Sequence, residues 1–549
     1  MWATKWREEI WNRLDEPWDL VVIGGGITGA AILREAAHMG FRTLLIEQGD
    51  FASGTSSRSS KLVHGGLRYL KEGRFYLTYT AVRERERLIR EVPGLIEPLD
   101  FLMPDYREAK PGRTVMSFGL TLYDIMAGAW THRYYPAHLF RMLAPHIREL
   151  GLKGGFRFKD AETDDARLVL RLIKDAVEEG QTALSYARCE DLFRTGGRVT
   201  GLLVRDRVTG RTARVRAGVV VNATGAWADA LRDRVGASPR IRPLRGSHLI
   251  FPAWRLPVAQ SVSFLHPRDR RPVFVFPWEG VTLVGTTDRD HREPMDREPS
   301  ISPEEADYLL AAVRSQFPPL DIQPSDVLST LSGVRPVIGS GKADPSQESR
   351  EYAVWDEGGL ITATGGKLTT FRLMALDVLK EARHRLPRRK LPLPMLSIFR
   401  KRPVTLPPEA SRLDEAVTRR LVGRYGTEAP SLVSASRPGE LENIPNTPSL
   451  WAELRWAART EGVVHLEDLL LRRVRVGLLL PEGAREHMET FGSICREELG
   501  WDERRWGEEE EHYTSLVDNC YSLPRESFEH APSPSGLSEG GESPLAARN

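Results

Sequence analysis

The stretch from Asp19 to Glu47 constrains the fold of this chain more than any other. Asp19-Leu20-Val21-Val22-Ile23 is a short apolar run, as a strand buried on both faces requires. Gly24-Gly25-Gly26-Ile27-Thr28-Gly29 follows and fits G-x-G-x-x-G. The pattern predicts a helix from Ala30 to Gly40 and a second strand over Arg42-Thr43-Leu44-Leu45-Ile46, with Glu47 at its end. Each glycine of the motif has a task. Gly24 makes the turn, Gly26 lets a pyrophosphate approach the backbone, and Gly29 lets helix and strand pack closely. The helix N-terminus offers N–H groups and a positive dipole end to the pyrophosphate, and Glu47 can accept hydrogen bonds from ribose hydroxyls. This is a dinucleotide-binding unit, and the motif alone does not separate NAD from FAD.

A second stretch follows closely: Thr55-Ser56-Ser57-Arg58-Ser59-Ser60-Lys61-Leu62-Val63-His64-Gly65-Gly66-Leu67-Arg68-Tyr69-Leu70. Its hydroxyls, cations, imidazole and glycine pair suit a loop wrapped around a phosphorylated or heterocyclic ligand. Two later segments, Gly218 to Trp227 and Gly359 to Phe371, each run from a strand into a small-residue turn. Together with Thr163-Asp164-Asp165-Ala166-Arg167-Leu168, these stretches resemble the FAD-dependent glycerol-3-phosphate dehydrogenases of the aerobic, quinone-linked kind. The resemblance runs from about Trp18 to Asn519 and is weakest in the C-terminal part. One departure is Ala226, where the family commonly has proline; the turn can form without it.

The resemblance implies an α/β fold with an added α domain. It comprises a Rossmann-like FAD-binding domain of the glutathione-reductase/D-amino-acid-oxidase type, an antiparallel-sheet substrate domain and a helical C-terminal domain. The expected boundaries are 17–78, 155–235 and 331–382 for the discontinuous FAD-binding domain, 79–154 and 236–330 for the substrate domain, 400–522 for the helical domain, and a disordered tail over 523–549. The tail is rich in Pro, Ser, Gly and Glu. Leu244 to Thr287 reads as strands, Ser302 to Phe317 as a helix with Pro303 at its start, and Leu466 to Leu480 as one helix of the C-terminal domain. Asp164 or Asp165 caps the helix that runs on to Gly180.

The resemblance further implies noncovalently bound FAD, with cofactor contacts at Gly24, Gly26, Gly29, Glu47, Thr55, Ser56, Ser57, Ser60, Lys61, His64, Gly65, Gly66, Asn222, Thr224, Gly225, Gly366, Leu368 and Thr369. A helix beginning near Leu368 would point its N-terminus at the flavin and stabilise the anionic reduced ring. The implied substrate is sn-glycerol 3-phosphate, oxidised at C2 to dihydroxyacetone phosphate. Arg335 and Arg350 match positions near the substrate, and an arginine fork suits a phosphate because it binds two oxygens and stays charged. His248 is the preferred base and His64 the alternative, since imidazole titrates near neutrality. Arg68 and Lys367 would stabilise negative charge developing on the substrate oxygen or the flavin.

Composition excludes several other readings. Net charge is +2, with 77 cations interspersed among 75 acids, and no sustained basic helix or aromatic-basic stripe argues for nucleic acid. The 3 cysteines are far apart and form no CxxC, as suits a reducing compartment. No zinc or calcium motif is present, so no metal is expected, and no apolar run reaches the length of a membrane span. Trp2, Trp6, Ile10 and Leu14 share one face of a short amphipathic helix, which fits either a membrane interface or the protein's own surface. The stretch from Arg383 to Lys401 is basic and proline-rich and would favour anionic lipid. With these features, the resemblance implies a cytoplasmic setting, peripheral on the cytoplasmic face of the bacterial inner membrane, with a membrane quinone as acceptor. The oxygen-using glycerophosphate oxidases of the same family carry an extra insertion that is missing here. A flavin oxidase of another hydroxy or amino substrate is a further alternative, and a homodimer is left open.

Overall fold

The computed structural model describes residues 2, 6–71, 73–108, 111–342, 348, 351–388, 397–399 and 402–524 of the 549. Two sheets organise it. In the first, the parallel strands Leu360–Gly365, Thr212–Asn222, Trp18–Ile23, Thr43–Ile46 and Thr182–Leu184 lie side by side, and Tyr352–Glu357 adds an antiparallel edge. Val21, Val22, Leu44, Leu45, Val220 and Val221 are fully buried, because helices cover one face and the hairpin Ala187–Thr195/Arg198–Asp206 flanks the other. The helices Ile27–His38, Asp165–Glu178 and Phe371–Ala382 share one apolar core with this sheet. Asp164 is the cap of the helix Asp165–Glu178, accepting from the Arg167 amide at 3.1 Å. Ser302 and Glu305 form a reciprocal capping box ahead of Pro303–Gln316.

The second sheet has 10 strands and is almost wholly antiparallel. Ile241–Pro252 lies between Val281–Gly285 and Ser329–Ile338, and the sheet continues through Pro272–Trp278, Ser261–Leu265, Ile96–Tyr106 and Leu152–Thr163 to Leu62–Val63. This placement corrects two expected boundaries. Segments 155–163 and 331–338 belong to the antiparallel sheet and not to the nucleotide-binding part. The strand Leu152–Thr163 runs through the Gly154-Gly155 pair. A side chain at either position would collide with the Tyr135 carbonyl or the Phe140 ring, so these glycines serve close packing.

The C-terminal helices do not form a separate ball. Leu454, Leu466, Leu470, Phe491 and Trp506 share a core with Phe101, Phe158, Phe276 and Leu331 of the second sheet. Buried ion pairs reinforce the contact. Arg167 binds Glu461 through both guanidinium nitrogens at 2.6 and 3.0 Å, and Arg473 binds Asp50 at 2.5 and 2.8 Å. Leu466–Leu480 is not one helix as expected. Asp468–Arg473 forms a wide turn, Arg475 adopts a left-handed φ of 65°, and only then does the short helix Val476–Leu479 begin. The N-terminal tryptophans also differ from a membrane-facing stripe. Trp2 is 4% exposed and stacks on Phe51 at 5.2 Å, and Trp11, Leu14 and Trp18 are buried. The tail 525–549 and most of the basic linker lie outside the described residues.

Candidate active site and cofactor cleft

One cavity of about 2580 Å3 runs along the junction of the two sheets. At one end are Gly24, Gly26 and Glu47, at the other Lys367, Gly366 and Arg335, and the loop from Thr55 to Gly66 forms the wall between. The Glu47 carboxylate accepts the Gly25 amide at 2.7 Å on one oxygen and the Gly49 amide at 2.9 Å on the other. Burial raises its pKa, and the amide donors oppose that shift. Ser56 Oγ accepts the amide of Ile27, the first residue of the helix, at 2.9 Å. Thr55 donates to the Val334 carbonyl at 2.5 Å, joining the loop to the strand that carries Arg335.

The loop is held from behind by groups of which only Asp160 reaches the cavity. Lys61 is fully buried and donates to the Ser57 carbonyl at 2.6 Å and to Asp165 at 2.8 and 3.0 Å. Asp165 also accepts the Ser59 amide and hydroxyl, and Arg475 donates to the Ser57 carbonyl at 2.9 Å. Burial, then the nearby Arg475 cation, lowers the Lys61 pKa to about 8. Farther along, the Gly65 amide donates to the Tyr123 hydroxyl at 2.9 Å, and that hydroxyl donates to Asp160 at 2.7 Å. Arg85 pairs with the same Asp160. Thr369 Oγ1 clamps the backbone of His64, accepting its N–H at 3.1 Å and donating to its carbonyl at 3.0 Å.

Elsewhere on the cavity wall, Arg335 donates to Thr286 Oγ1 at 2.9 Å and pairs with Asp288 at 3.2 Å. His248 is fully buried, with Nε2 at 2.9 Å from Ser60 Oγ. Burial, then the Arg335 and Lys61 cations, holds its pKa well below the usual histidine range. Burial followed by the Lys367 cation lowers the pKa of His64 to about 4. The Lys367 ammonium sits 3.6 Å from the centre of the Tyr69 ring.

The profile of the "FAD dependent oxidoreductase" family matches residues 19–372, and that of the "C-terminal domain of alpha-glycerophosphate oxidase" matches residues 390–506. The chain is 33% identical over 493 residues to the aerobic glycerol-3-phosphate dehydrogenase of Staphylococcus epidermidis, covering 84% of this chain and 87% of that one. This chain belongs to the FAD-dependent glycerol-3-phosphate dehydrogenase family. The Staphylococcus aureus protein of the same description is likewise 33% identical, over 494 residues, with 85% and 88% covered. The crystal structure of glycerol-3-phosphate dehydrogenase from Bacillus halodurans complexed with FAD superposes with a TM-score of 0.74 at 28% identity, covering 94% of this chain and 97% of that one.

Members of this family bind FAD, and the cleft fits it. The glycine turn, the Glu47 oxygens and the start of the helix Ile27–His38 face one continuous cavity that ends at Gly366 and Leu368. Of the expected contacts, Gly24, Gly26, Glu47, Thr55, Ser56, Ser60, His64, Gly66, Thr224, Gly225, Gly366 and Leu368 line the cavity. Gly29, Ser57, Lys61, Gly65, Asn222 and Thr369 lie behind it. Gly29 packs against the Gly24 carbonyl. Asn222 knits its own turn, accepting from Thr224 Oγ1 at 2.7 Å and donating to the Ala228 carbonyl at 2.9 Å. The turn Gly225–Trp227 forms with Ala226 in place of proline. Near the expected helix start at Leu368, a 3-10 turn Leu368–Thr370 precedes the helix Phe371–Ala382.

Arg335 and Lys367 line the cavity, whereas His248 stands behind Ser60. The reason is the sheet. The His248 ring lies against Gly285 and the Arg335 guanidinium against Gly246, each so close that a Cβ on the glycine would collide with it. Arg350 lies outside the described residues, as does the side chain of Arg68. Arg58 of the ligand loop and Asp288, whose Gly285-Thr286-Thr287-Asp288 run could either line a site or end a strand, both line the cavity, and sequence reasoning missed Arg271 and His291, which line it as well. Arg58 faces the Glu298 carboxylate, which also accepts from Tyr521 of the C-terminal region at 2.5 Å. No short motif marks Arg271 or His291.

Proposed function

We propose that this chain oxidises sn-glycerol 3-phosphate at C2 to dihydroxyacetone phosphate and passes the electrons to a membrane quinone. The observation that carries the reading is Arg335, whose guanidinium faces the same cavity as the glycine turn and Lys367. FAD, when bound, supplies the hydride acceptor. Arg335 takes two phosphate oxygens with its fork and fixes the substrate's orientation. Asp288 and Thr286 hold that fork in place before the substrate arrives. The proton of the C2 hydroxyl passes to Ser60 Oγ, and the Ser60 proton passes to His248 Nε2, while the C2 hydride departs and the carbonyl forms. His248 starts neutral, as a base must. A phosphate dianion on Arg335 offsets one of the two cations that disfavour protonation of His248, so substrate binding strengthens the base. Lys367 balances negative charge at the redox end of the cleft.

The quinone reading draws on a further part of the cavity wall. Phe101, Met103, Leu122, Phe156, Phe158 and Phe274 make an apolar wall. It opens beside Phe75, Val115 and Phe118, all more than half exposed. An apolar face of this kind suits docking on a membrane from which a lipid-soluble acceptor arrives. The association we propose is peripheral, on the cytoplasmic face; among the described residues no helix is long and apolar enough to cross a membrane.

Replacing Arg335 tests the reading. Both Arg335→Ala and Arg335→Lys are expected to lower kcat/KM for glycerol 3-phosphate by at least about a hundredfold, with flavin content unchanged, because lysine keeps the charge but not the fork. Full activity in the lysine variant would remove the assigned role. Peroxide release matching turnover, with no response to added quinone, would assign oxygen as the acceptor instead.

A further inference from the structure

Arg335 does not stand alone on the cavity wall. Asp288 receives Arg335 on one carboxylate oxygen at 3.2 Å and Arg271 on the other at 3.3 Å. The Asp288 side chain is only 4% exposed, while Arg335 and Arg271 keep 26% and 28% of theirs open. All three residues line the same cavity. The second sheet builds the arrangement. Phe274 of Pro272–Trp278 pairs with Gly285 of Val281–Gly285, and continuing that register brings Arg271 level with Asp288. Arg335 arrives from the strand Ser329–Ile338 on the far side of Ile241–Pro252, opposite Leu244. Arg271 also donates to the Asp288 carbonyl at 3.5 Å, which limits the directions its fork can take.

We propose that Arg271 is a second anion ligand of the substrate pocket, set beside Arg335 by Asp288, and that it selects for a phosphate over a singly charged group. The inference rests on the reading of Arg335 as the phosphate ligand. A single buried carboxylate needs one cation to balance it. Here it meets two, and each guanidinium keeps about a quarter of its side chain open on the cavity. One fork satisfies two phosphate oxygens, which leaves a third oxygen and a second negative charge for Arg271. A carboxylate has only two oxygens and would use Arg335 alone. The pair therefore discriminates by oxygen count.

Inorganic phosphate is the probe, added to the FAD-loaded protein while the flavin absorbance is followed. Arg271→Gln should weaken phosphate binding by about tenfold or more and raise KM for glycerol 3-phosphate in the same proportion, with kcat within about twofold of the parent. Acetate binding should be unchanged. Phosphate binding within about twofold of the parent would show that Arg271 only neutralises Asp288, and the proposal would fall. If Arg271→Gln does not retain FAD, Arg271→Lys carries the same comparison. It should lose about threefold through the missing fork, and no loss at all would overturn the proposal equally. Failure of the underlying functional reading looks different: the parent's flavin would not be reduced by glycerol 3-phosphate, whatever phosphate binding does.

Discussion

The guanidinium of Arg335 lies across Gly246, so close that a methyl group at Gly246 would overlap it. The glycine is therefore part of how the sheet presents the arginine. Gly246→Ala should lift Arg335 from its seat between Thr286 and Asp288 while leaving the nucleotide cleft intact. The expected result is a rise of about tenfold or more in KM for glycerol 3-phosphate with unchanged flavin content. Steady-state kinetics together with flavin absorbance check it. An alanine variant with parental KM would show that the seat is not needed.

The acid limb of stability should report His64. Its folded pKa is about 4 against an ordinary 6.5, lowered by burial and then by the Lys367 cation. Between those two values the unfolded chain binds a proton that the folded chain does not, so stability falls as pH falls from 6.5 toward 4 and levels off below. His64→Gln removes this dependence. The parent should lose on the order of 2 kcal/mol more than the variant across that window. Denaturation at pH 7 and pH 4.5 measures the difference, and parallel losses in the two proteins would contradict the assignment.

Membrane contact should follow the exposed apolar face and not the N-terminal tryptophans. Replacing Val115 and Phe118 together with serine should cut recovery on anionic liposomes by at least about tenfold, since each apolar side chain is worth roughly 1.5–3 kcal/mol of burial. Trp2→Ala should instead cost about 3 kcal/mol of stability, because the ring is packed on Phe51. Flotation lost in Trp2→Ala and kept in the double variant would reverse this picture.

What was legible in the sequence is what depends on near neighbours. The glycine turn, Glu47 and the loop from Thr55 are contiguous, so their types and spacing carry the cofactor reading. Lys61 was assigned to the cofactor because loop cations usually face ligands. Its true partners, Asp165 and the Ser57 carbonyl, are chosen by a helix more than a hundred residues away. The break at Arg475 was hidden for the same reason: the apolar spacing of Leu466–Leu480 is helical, and only the buried demand of the Ser57 carbonyl and Asp165 explains why that arginine leaves the helix. The pairing of Asp288 with Arg271 needed strand register, which no local pattern supplies. His248 is a candidate by type and motif, and its place behind Ser60 depends on the glycine opposite it in the sheet.

The most direct test is anaerobic titration of the purified, yellow protein with glycerol 3-phosphate. The account predicts that the oxidised flavin bands bleach on substrate addition and that dihydroxyacetone phosphate appears in equal amount to the flavin reduced. A flavin that stays oxidised with glycerol 3-phosphate, or that is reduced equally by unphosphorylated glycerol, would contradict it.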